Sequence, residues 1–267
     1  MDIQKLASLL LNAEATKQAI APLTANYPSI QPADAYAIQL HQIEQKKQQG
    51  ASVKGLKIGL TSQAMQEMLG VYTPDYGFIL DTMLFQETEP VSIERFLQPK
   101  VEFEIAFVFK KALKGPNVTV EDVIDATDYV VPSVEIIDSR IADWKIKFED
   151  TVADNGSSAG AILGKKATPL HEIDDITAIQ MRVFKNDELI DEATSAAVLG
   201  NPLNAVVWLA NELSEYDVSI EPGMFVLSGA LSKAVSFEAG DNFEADFGAL
   251  GKVRASFAKV EVTSWQN

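Results

Sequence analysis

The feature that most constrains the fold of this sequence is a run of nine residues, Val101–Phe109, in which two glutamates interrupt an apolar stretch. If the run is a β-strand, successive side chains point to opposite faces of a sheet. Glu102 and Glu104 then share one face, about 7 Å apart along the strand. The other face is entirely large and apolar, and it consists of Phe103, Ile105, Phe107 and Phe109. Such a strand requires a folded core on one side and a use for two carboxylates on the other.

A third glutamate lies in a second apolar run: Glu135, within Tyr129–Ile137. Burying an isolated carboxylate costs several kcal/mol unless it is paired or coordinated. No Lys or Arg occupies a facing position within either predicted strand, so a shared cation is the simplest solution. The alternative is a solvated strand face, on which Glu102 and Glu104 simply meet water.

The ligand chemistry of this predicted site narrows the choice of cation. An all-oxygen set of ligands favours Mg²⁺ or Mn²⁺, or alternatively Ca²⁺, over zinc or copper. The chain has no cysteine, which excludes disulfides, zinc thiolate sites and a cysteine nucleophile. Its net charge of −16 argues against a nucleic-acid partner and would also repel a small acid, unless a bound cation inverted the local field.

The N-terminal part of the chain predicts helices. Apolar residues recur at helical spacing from Ile3 to Ala13, and Pro32 suits the start of a second helix that ends near Gly50. The N-terminus is acidic, unlike a signal peptide, and no apolar run approaches the roughly 18 residues of a membrane span. A cytoplasmic protein with no membrane partner is therefore expected.

The remainder of the chain predicts strands, with two helices between them. One helix follows a capping box at Thr119, and the other begins at Pro202. The predicted strands are Val101–Phe109, Tyr129–Ile137, Met181–Phe184, Met224–Leu227 and Val253–Val262. We expect an α+β protein with a mixed, mostly antiparallel β domain at residues 53–267. A helical region, residues 1–52, should pack on it as effectively one domain.

Several segments together resemble the 2-keto-4-pentenoate hydratase and 4-oxalocrotonate decarboxylase group of the fumarylacetoacetate hydrolase superfamily. The resemblance covers nearly the whole chain, from about residue 5 to Phe257. It rests on Gly55–Thr61, Thr73–Gly77, Glu102–Ala106, Val134–Arg140, Asp150–Asn155, Gly200–Asn204 and Ser228–Ala230 in family order. The resemblance implies a β-roll like the C-terminal domain of fumarylacetoacetate hydrolase. It also implies a homo-oligomer, a pentamer or decamer, with a related decarboxylase subunit as a further partner.

The resemblance also assigns roles to residues. It implies that Mg²⁺ or Mn²⁺ is bound by Glu102, Glu104 and Glu135, and that Lys57 and Asp75 are catalytic. The residues that it implies for substrate binding are Thr61, Asp154, Asn155 and Ser157. Relatives often have Ala where this chain has Gly156, a departure that leaves the contacts of this loop open.

Three features favour a hydratase within the group: Pro74–Gly77, the pair Asp143-Trp144, and Trp208 in the late helix. The implied reaction adds water to 2-hydroxypenta-2,4-dienoate or a close analogue and yields a 4-hydroxy-2-oxo acid. The alternatives are a 4-oxalocrotonate-type decarboxylase, an acylpyruvate C–C hydrolase and a non-catalytic metal-binding paralogue. The hydrolases usually use a His-Glu pair, and neither histidine of this chain lies in a motif.

Lys57 is the expected proton-transfer group, since apolar neighbours and a cation should lower its pKa. Asp75 would orient water or act as the base. The structural alternatives are a surface lysine at a strand edge and an aspartate that forms a turn after Pro74. Arg140 and Asp138 are expected to form a structural ion pair.

The segment Gly156–Gly160 matches G-x-S-x-G, the nucleophile elbow of serine hydrolases. An elbow requires a hydrophobic strand before it, whereas Asp150–Asn155 is polar. It also requires a distant histidine after a further acid, and His171 follows too closely. The sequence therefore does not predict a serine hydrolase.

Overall fold

A computed structural model describes residues 1–62, 66–67 and 70–259. Its first 48 residues form three helices: α1 (Ile3–Thr16), α2 (Leu23–Asn26) and α3 (Pro32–Gln48). The side chain of Asp2 accepts a hydrogen bond from the Lys5 amide and so caps α1. Three later helices are α4 (Val120–Ala126), α5 (Phe148–Ala153) and α6 (Pro202–Glu212). α3 packs between α1 and α5, which joins the N-terminal helices to the remainder of the chain.

The larger of two sheets has eight strands in the order β2-β1-β10-β5-β6-β7-β3, with β11 beside β5. Its β1–β10 and β3–β7 pairs are parallel, and its other pairs are antiparallel. The strands are β1 (Val53–Gly59), β2 (Asp75–Leu80), β3 (Leu84–Phe85), β5 (Lys100–Phe109), β6 (Thr127–Ile137), β7 (Ser158–Leu163), β10 (Phe225–Leu227) and β11 (Val235–Ser236).

The second sheet has five strands in the order β4-β13-β12-β8-β9. These strands are β4 (Val91–Ser92), β8 (Gln180–Lys185), β9 (Glu188–Thr194), β12 (Asn242–Asp246) and β13 (Lys252–Ala258). Phe103, on the apolar face of β5, packs against Phe243 of β12, whose ring meets that of Phe257 on β13. The apolar face predicted for Val101–Phe109 is therefore the face that joins the two sheets.

The predicted α+β class with a mixed, mostly antiparallel sheet is confirmed. Each predicted helix and strand is present within a few residues, except that residues 260–262 of Val253–Val262 lie outside the described part of the chain. Several elements were not predicted one by one, among them β2, which begins at Asp75, and α5, which ends just before the loop that contains Gly156. No helix among the described residues is long and apolar enough to cross a membrane.

Strand register gathers one set of side chains on the face of the large sheet that lies opposite Phe103. Glu102 is paired directly with Glu135 across β5 and β6. Lys57 of β1 is paired with Leu227 of β10, and Asp75 of β2 is paired with Gly59 of β1. Because paired residues point to the same face, the predicted catalytic and metal-binding residues lie on one face of the sheet, within the five neighbouring strands β2, β1, β10, β5 and β6.

Candidate metal and catalytic site

Three glutamates converge on this face. One carboxylate oxygen from each glutamate lies within 4.8 Å of one from each of the others, although the residues come from two strands. Glu104 and Glu135 are fully buried, and Glu102 is half-buried. The alternative of a solvated strand face is therefore wrong for two of the three carboxylates.

The oxygens of these glutamates are under-used as hydrogen-bond acceptors. Glu104 Oε2 accepts a hydrogen bond of 2.6 Å from the Gly229 amide. Among the described residues, Glu104 Oε1 and both oxygens of Glu135 have no hydrogen-bond partner. Buried acceptors without partners are rare in folded proteins. Three converging carboxylates with free oxygens fit a hard divalent cation, and no His or Cys is present to favour a softer one.

The pKa values of the three glutamates reflect the electrostatic cost of burying them close together. Burial, together with the charge of Glu102, raises the pKa of the Glu104 carboxyl to about 8. Burial likewise raises the pKa values of Glu102 and Glu135, against the opposing charge of Lys57. A bound divalent cation would favour the charged carboxylates and so oppose this rise in their pKa values.

Lys57 reaches this cluster from β1. Its side chain is buried, its Nζ donates a hydrogen bond of 2.9 Å to the Gly156 carbonyl, and the same atom lies 3.6 Å from Glu135 Oε2. The alternative of a surface lysine is wrong. The prediction that the pKa of Lys57 falls is also wrong, because the charged groups of the chain itself raise it. Burial lowers the pKa of Lys57, but the surrounding carboxylates, Glu135 foremost, outweigh burial and raise it.

Asp75 lies close to Lys57, since an added Cβ atom at Gly59 would meet both side chains. It is buried at the start of β2, so the interpretation as a turn residue is wrong. Thr151 Oγ1 donates a long hydrogen bond of 3.5 Å to Asp75 Oδ2, and Oδ1 has no partner in the described part of the chain. Burial raises the pKa of Asp75, and the charge of Lys57 opposes that rise.

Three glycines make room for these two side chains. A Cβ atom at Gly59 would lie 2.2 Å from Asp75 Oδ1 and 3.1 Å from Lys57 Nζ, so the polar ends of both side chains lie beside Gly59. A Cβ atom at Gly77 would lie 2.2 Å from the Asn155 carbonyl oxygen, and one at Gly156 would lie 3.3 Å from Lys57 Cδ. Any side chain at Gly59 or Gly77 would therefore displace part of the site.

The loop after α5 has an unusual backbone, in which Asn155, Gly156 and Ser157 all have φ values between 56° and 59°. Left-handed conformations are unfavourable for residues other than glycine, so three in succession require support. The Asn155 side chain supplies it, because its Oδ1 accepts from the Phe78 amide and its Nδ2 donates to the Phe78 carbonyl. This turn directs the Gly156 carbonyl at Lys57.

Asp154 belongs to a different buried cluster. Its Oδ1 accepts a hydrogen bond of 2.5 Å from Arg140 Nε, and its Oδ2 accepts from the Arg140 amide at 2.9 Å and from Ser139 Oγ at 3.3 Å. Arg140 forms its ion pair with Asp154, so the prediction that its partner is Asp138 is wrong. Arg140 donates to the Asp138 backbone oxygen, while the Asp138 side chain accepts from the amides of Leu97 and Gln98.

The four residues predicted to bind substrate therefore differ in their surroundings. The side chains of Asp154 and Asn155 are held by the chain itself. Ser157 Oγ lies 3.4 Å from Thr151 Oγ1, which in turn contacts Asp75. Thr61 is buried against Gly229, where a Cβ atom would lie 2.3 Å from Thr61 Oγ1. Binding of substrate by these residues stays a prediction.

The serine elbow is excluded by the backbone. Helix α5 and a turn precede Ser158, which begins β7, whereas an elbow follows a strand and opens a helix. His171 lies in a short 3₁₀ turn, and His41 of α3 contacts Gln45. Neither histidine contacts the described members of the glutamate cluster.

Sequence reasoning missed several contributors. Thr151 and Gly229 were noticed only as parts of motifs, and their contacts with Asp75 and Glu104 come from distant elements. Lys100 was missed because the predicted strand began at Val101, whereas β5 begins one residue earlier. Alternation along this longer strand puts Lys100 on the glutamate face, so the statement that no cation faces these glutamates is wrong.

Comparison with known proteins identifies the family. The model of the fumarylacetoacetate (FAA) hydrolase C-terminal family matches residues 46–258. The chain belongs to this family, as the sequence resemblance predicted. A solved 4-oxalocrotonate decarboxylase from Pseudomonas putida G7, complexed with magnesium and adipate, superimposes with a TM-score of 0.92 at 38% identity. The match covers 96% of this chain and 97% of that one.

Curated relatives at similar identity are hydratases. The chain is 40% identical to the 2-hydroxyhexa-2,4-dienoate hydratase of Comamonas testosteroni, with 96% of this chain and 98% of the relative covered. It is 42% identical to the 2-keto-4-pentenoate hydratase of Burkholderia vietnamiensis (strain G4 / LMG 22486), with the same coverage. It is 39% identical to the 2-oxo-hept-4-ene-1,7-dioate hydratase of Escherichia coli, with 94% of this chain and 96% of the relative covered.

Proposed function

We propose that this chain is a divalent-metal-dependent hydratase. It adds water to 2-hydroxypenta-2,4-dienoate, the enol of 2-keto-4-pentenoate, or to a close analogue, and yields a 4-hydroxy-2-oxo acid. The observation that carries the proposal is the convergence of three carboxylates with free oxygens beside a buried lysine. Full-length relatives named as hydratases support it independently.

Glu102, Glu104 and Glu135 hold the cation in this proposal, and Mg²⁺ or Mn²⁺ fits their oxygens. The cation would polarise the C2 oxygen of the substrate and offset the negative charge of the site. The half-buried position of Glu102 leaves an approach from the open side, while Glu104 is fixed from behind by the Gly229 amide.

Lys57 moves the proton that converts the dienol to its 2-oxo form, because its ammonium lies next to the glutamates that fix the C2 end. Conjugation with the carbonyl makes C4 electrophilic. Asp75 then orients the water that attacks C4, or takes its proton, through Oδ1, which has no hydrogen-bond partner in the part of the chain that the structure describes. The Thr151 hydroxyl on the other oxygen keeps this carboxylate turned towards Lys57.

A 4-oxalocrotonate-type decarboxylase is the second candidate, because the solved structure quoted above has that activity and the same fold at 38% identity. Hydration requires a positioned water near C4, and Asp75 is suited to hold it. An acylpyruvate hydrolase that uses a His-Glu pair is disfavoured, since neither histidine contacts the glutamates. Assembly into pentamers or decamers, and a decarboxylase partner subunit, remain predictions from the sequence.

The test follows two reactions of one substrate. Purified protein with Mg²⁺ should remove the ultraviolet absorbance of 2-hydroxypenta-2,4-dienoate, and EDTA should stop this loss. Asp75→Asn should suppress water addition while enol–keto tautomerisation continues, because Lys57 and the glutamates are unchanged. The matched variant Asp81→Asn alters a carboxylate that contacts Ser52 outside the site and should behave as wild type.

Two results would overturn the hydratase assignment. One is faster release of CO₂ from 4-oxalocrotonate than hydration of the pentadienoate by the wild-type protein. The other is normal hydration by Asp75→Asn, which would remove the proposed role of Asp75 at C4.

A further inference from the structure

Helix α3 carries two buried glutamines, Gln39 and Gln42, on the face that packs against α5. The other buried residues of α3 are Ala35, Tyr36, Ile38 and Ile43. Such a face of an amphipathic helix is usually apolar throughout. Burying a side-chain amide costs free energy unless the amide is hydrogen-bonded. The hydrogen bonds of the two glutamines therefore indicate what each of them does.

The amide of Gln39 joins two segments that carry groups of the proposed site. Its Nε2 donates a hydrogen bond of 2.9 Å to the carbonyl of Tyr76, the residue after Asp75 in β2. The same atom donates a hydrogen bond of 3.0 Å to the carbonyl of Val152, the residue after Thr151 in α5. Thr151 Oγ1 in turn donates to Asp75 Oδ2 at 3.5 Å. One amide thus ties β2 to α5 next to the contact between Asp75 and Thr151.

Gln42 makes a different set of contacts one turn further along α3. Its Nε2 donates a hydrogen bond of 2.7 Å to the Ala153 carbonyl at the end of α5. It also donates to the Ile38 carbonyl of its own helix at 3.2 Å. Neither bond reaches β2. Gln42 therefore attaches α5 to α3, whereas Gln39 also attaches the strand that carries Asp75.

The other proposed catalytic group is held by separate contacts. Lys57 Nζ donates to the Gly156 carbonyl, and the Asn155 side chain fixes the turn that carries this carbonyl to the backbone of β2. The two hydrogen bonds of Gln39 do not include this turn. Loss of the Gln39 amide should therefore disturb Asp75 more than Lys57.

Packing alone does not account for an amide at position 39. Among the described residues, Gln39 Oε1 has no hydrogen-bond partner, a cost that an apolar side chain of the same size would avoid. Both glutamines also precede residue 46, where the match to the family model begins. The N-terminal helices are therefore an addition to the matched domain, and Gln39 connects them to its proposed site.

We propose that Gln39 is a positioning residue for the water-addition step. By tying Tyr76 to Val152, its amide sets the separation of Asp75 and Thr151, and with it the direction of the carboxylate that orients water at C4. This assignment rests on the proposed function and deepens it by adding a residue of the N-terminal helices. Gln39 acts through Asp75 and not on the reacting atoms.

The experiment compares two reactions of Mg²⁺-loaded protein with 2-hydroxypenta-2,4-dienoate: formation of the 2-oxo tautomer and addition of water. Gln39→Met preserves the length of the side chain and removes both hydrogen bonds. It should lower the rate of hydration about ten-fold or more, because a small misplacement of a reacting group is costly. Formation of the tautomer should change little, since it depends on Lys57.

The matched control is Gln42→Met, which removes a buried amide from the same helix and the same contact with α5. Its ratio of hydration to tautomer formation should equal that of the wild-type protein. Equal ratios in Gln39→Met and Gln42→Met would overturn the assignment. A parallel fall of both rates in Gln39→Met would also overturn it, by showing that the amide only supports the fold.

A second variant decides the question when Gln39→Met folds poorly. Thr151→Val removes the hydroxyl that contacts Asp75 and preserves the shape of the side chain. It should lower hydration relative to tautomer formation, as Gln39→Met does. An unchanged ratio would overturn the assignment, because the contact that Gln39 is proposed to set would then have no effect on water addition.

Hydrogen exchange of the metal-free protein tests the same contacts without a substrate. The amides of β2 (Asp75–Leu80) should exchange faster in Gln39→Met than in Gln42→Met, because only the first variant frees β2 from α3. Equal exchange would overturn the assignment. If exchange differs as expected but wild-type protein does not hydrate the dienoate, the hydratase proposal fails and only the ordering of β2 by Gln39 stands.

Discussion

Two clusters of buried charge lie a few residues apart in the sequence, and they differ in how completely their polar atoms are hydrogen-bonded. Around Arg140, both oxygens of Asp154 accept hydrogen bonds, and the guanidinium is surrounded by acceptors. Around Lys57, three glutamates repel one another, and several of their oxygens have no hydrogen-bond partner among the described residues. Burial of charge alone therefore does not identify a functional site. The difference is whether the chain satisfies its own polar atoms.

The largest expected effect comes from a member of the unsatisfied cluster. Glu104→Gln should reduce activity below detection and weaken Mg²⁺ binding by orders of magnitude, because it removes a charged ligand from a three-carboxylate set. The melting temperature in EDTA should not fall, since the variant loses a repulsive buried charge. Calorimetry with Mg²⁺ and thermal melts measure the two effects. A large loss of stability in EDTA would show that the carboxylate is structural.

Lys57 tests the same cluster from its cationic side. Lys57→Met should lower kcat by about 10²–10⁴-fold, the usual contribution of a proton-transfer group. Mg²⁺ affinity should be retained or increased, because the variant removes a positive charge 3.6 Å from Glu135. Steady-state kinetics and Mg²⁺ titration separate these effects. Near-normal turnover in the variant would contradict a catalytic role.

Substitutions in the cluster around Arg140 should mainly change the stability of the fold. Asp154→Ala leaves Arg140 buried without its carboxylate and should lower the free energy of unfolding by about 3–5 kcal/mol. Asp143→Ala breaks an exposed pair with Lys145 and should cost at most about 1 kcal/mol. Urea denaturation measures both. Equal losses of unfolding free energy in the two variants would contradict the view that the hydrogen-bonded cluster around Arg140 stabilises the fold.

The glutamate cluster should also make stability depend on pH in EDTA-treated protein. The pKa of Glu104 is raised to about 8 in the folded chain, above the value of 4.5 for a free glutamate. The folded state therefore holds an extra proton between these values. The stability linked to this group is present below pH 4.5 and is lost as pH rises towards about 8. The difference in melting temperature between Glu104→Gln and wild type should grow over this range and vanish with Mg²⁺. A constant difference would contradict the raised pKa.

The convergence of the three glutamates, the proposed metal-binding half of the site, could be predicted because its geometry is local to two strands. Alternation alone puts Glu102 and Glu104 on one face, and the apolar run around Glu135 leaves that carboxylate needing a partner. Strand pairing then fixes the contact between Glu102 and Glu135. The same logic failed for Lys100, where an error of one residue in the start of a strand concealed a cation.

The other half could not be predicted from spacing, because its contacts join segments that are distant in the sequence. The partner of Arg140 is Asp154 and not the nearer Asp138, since helix α5 and the turn after it bring Asp154 back to the arginine. The sequence marks Asn155 as polar but does not reveal that its amide pairs with the backbone of β2. The resemblance named Lys57 and Asp75, and only the packing of Gly59 against both explains why they meet.

The glycines around Lys57 determine when the entropy of ordering its side chain is lost. A free lysine side chain samples many rotamers, and ordering it costs roughly 1.5–2 kcal/mol. Here Gly77 and Gly156 let backbone close in on the lysine stem, while the Gly156 carbonyl holds its tip. That ordering is completed when the chain folds. In the proposed reaction the ammonium therefore needs no conformational search when a substrate arrives, because the entropy of ordering it is lost once, on folding, and not at every turnover.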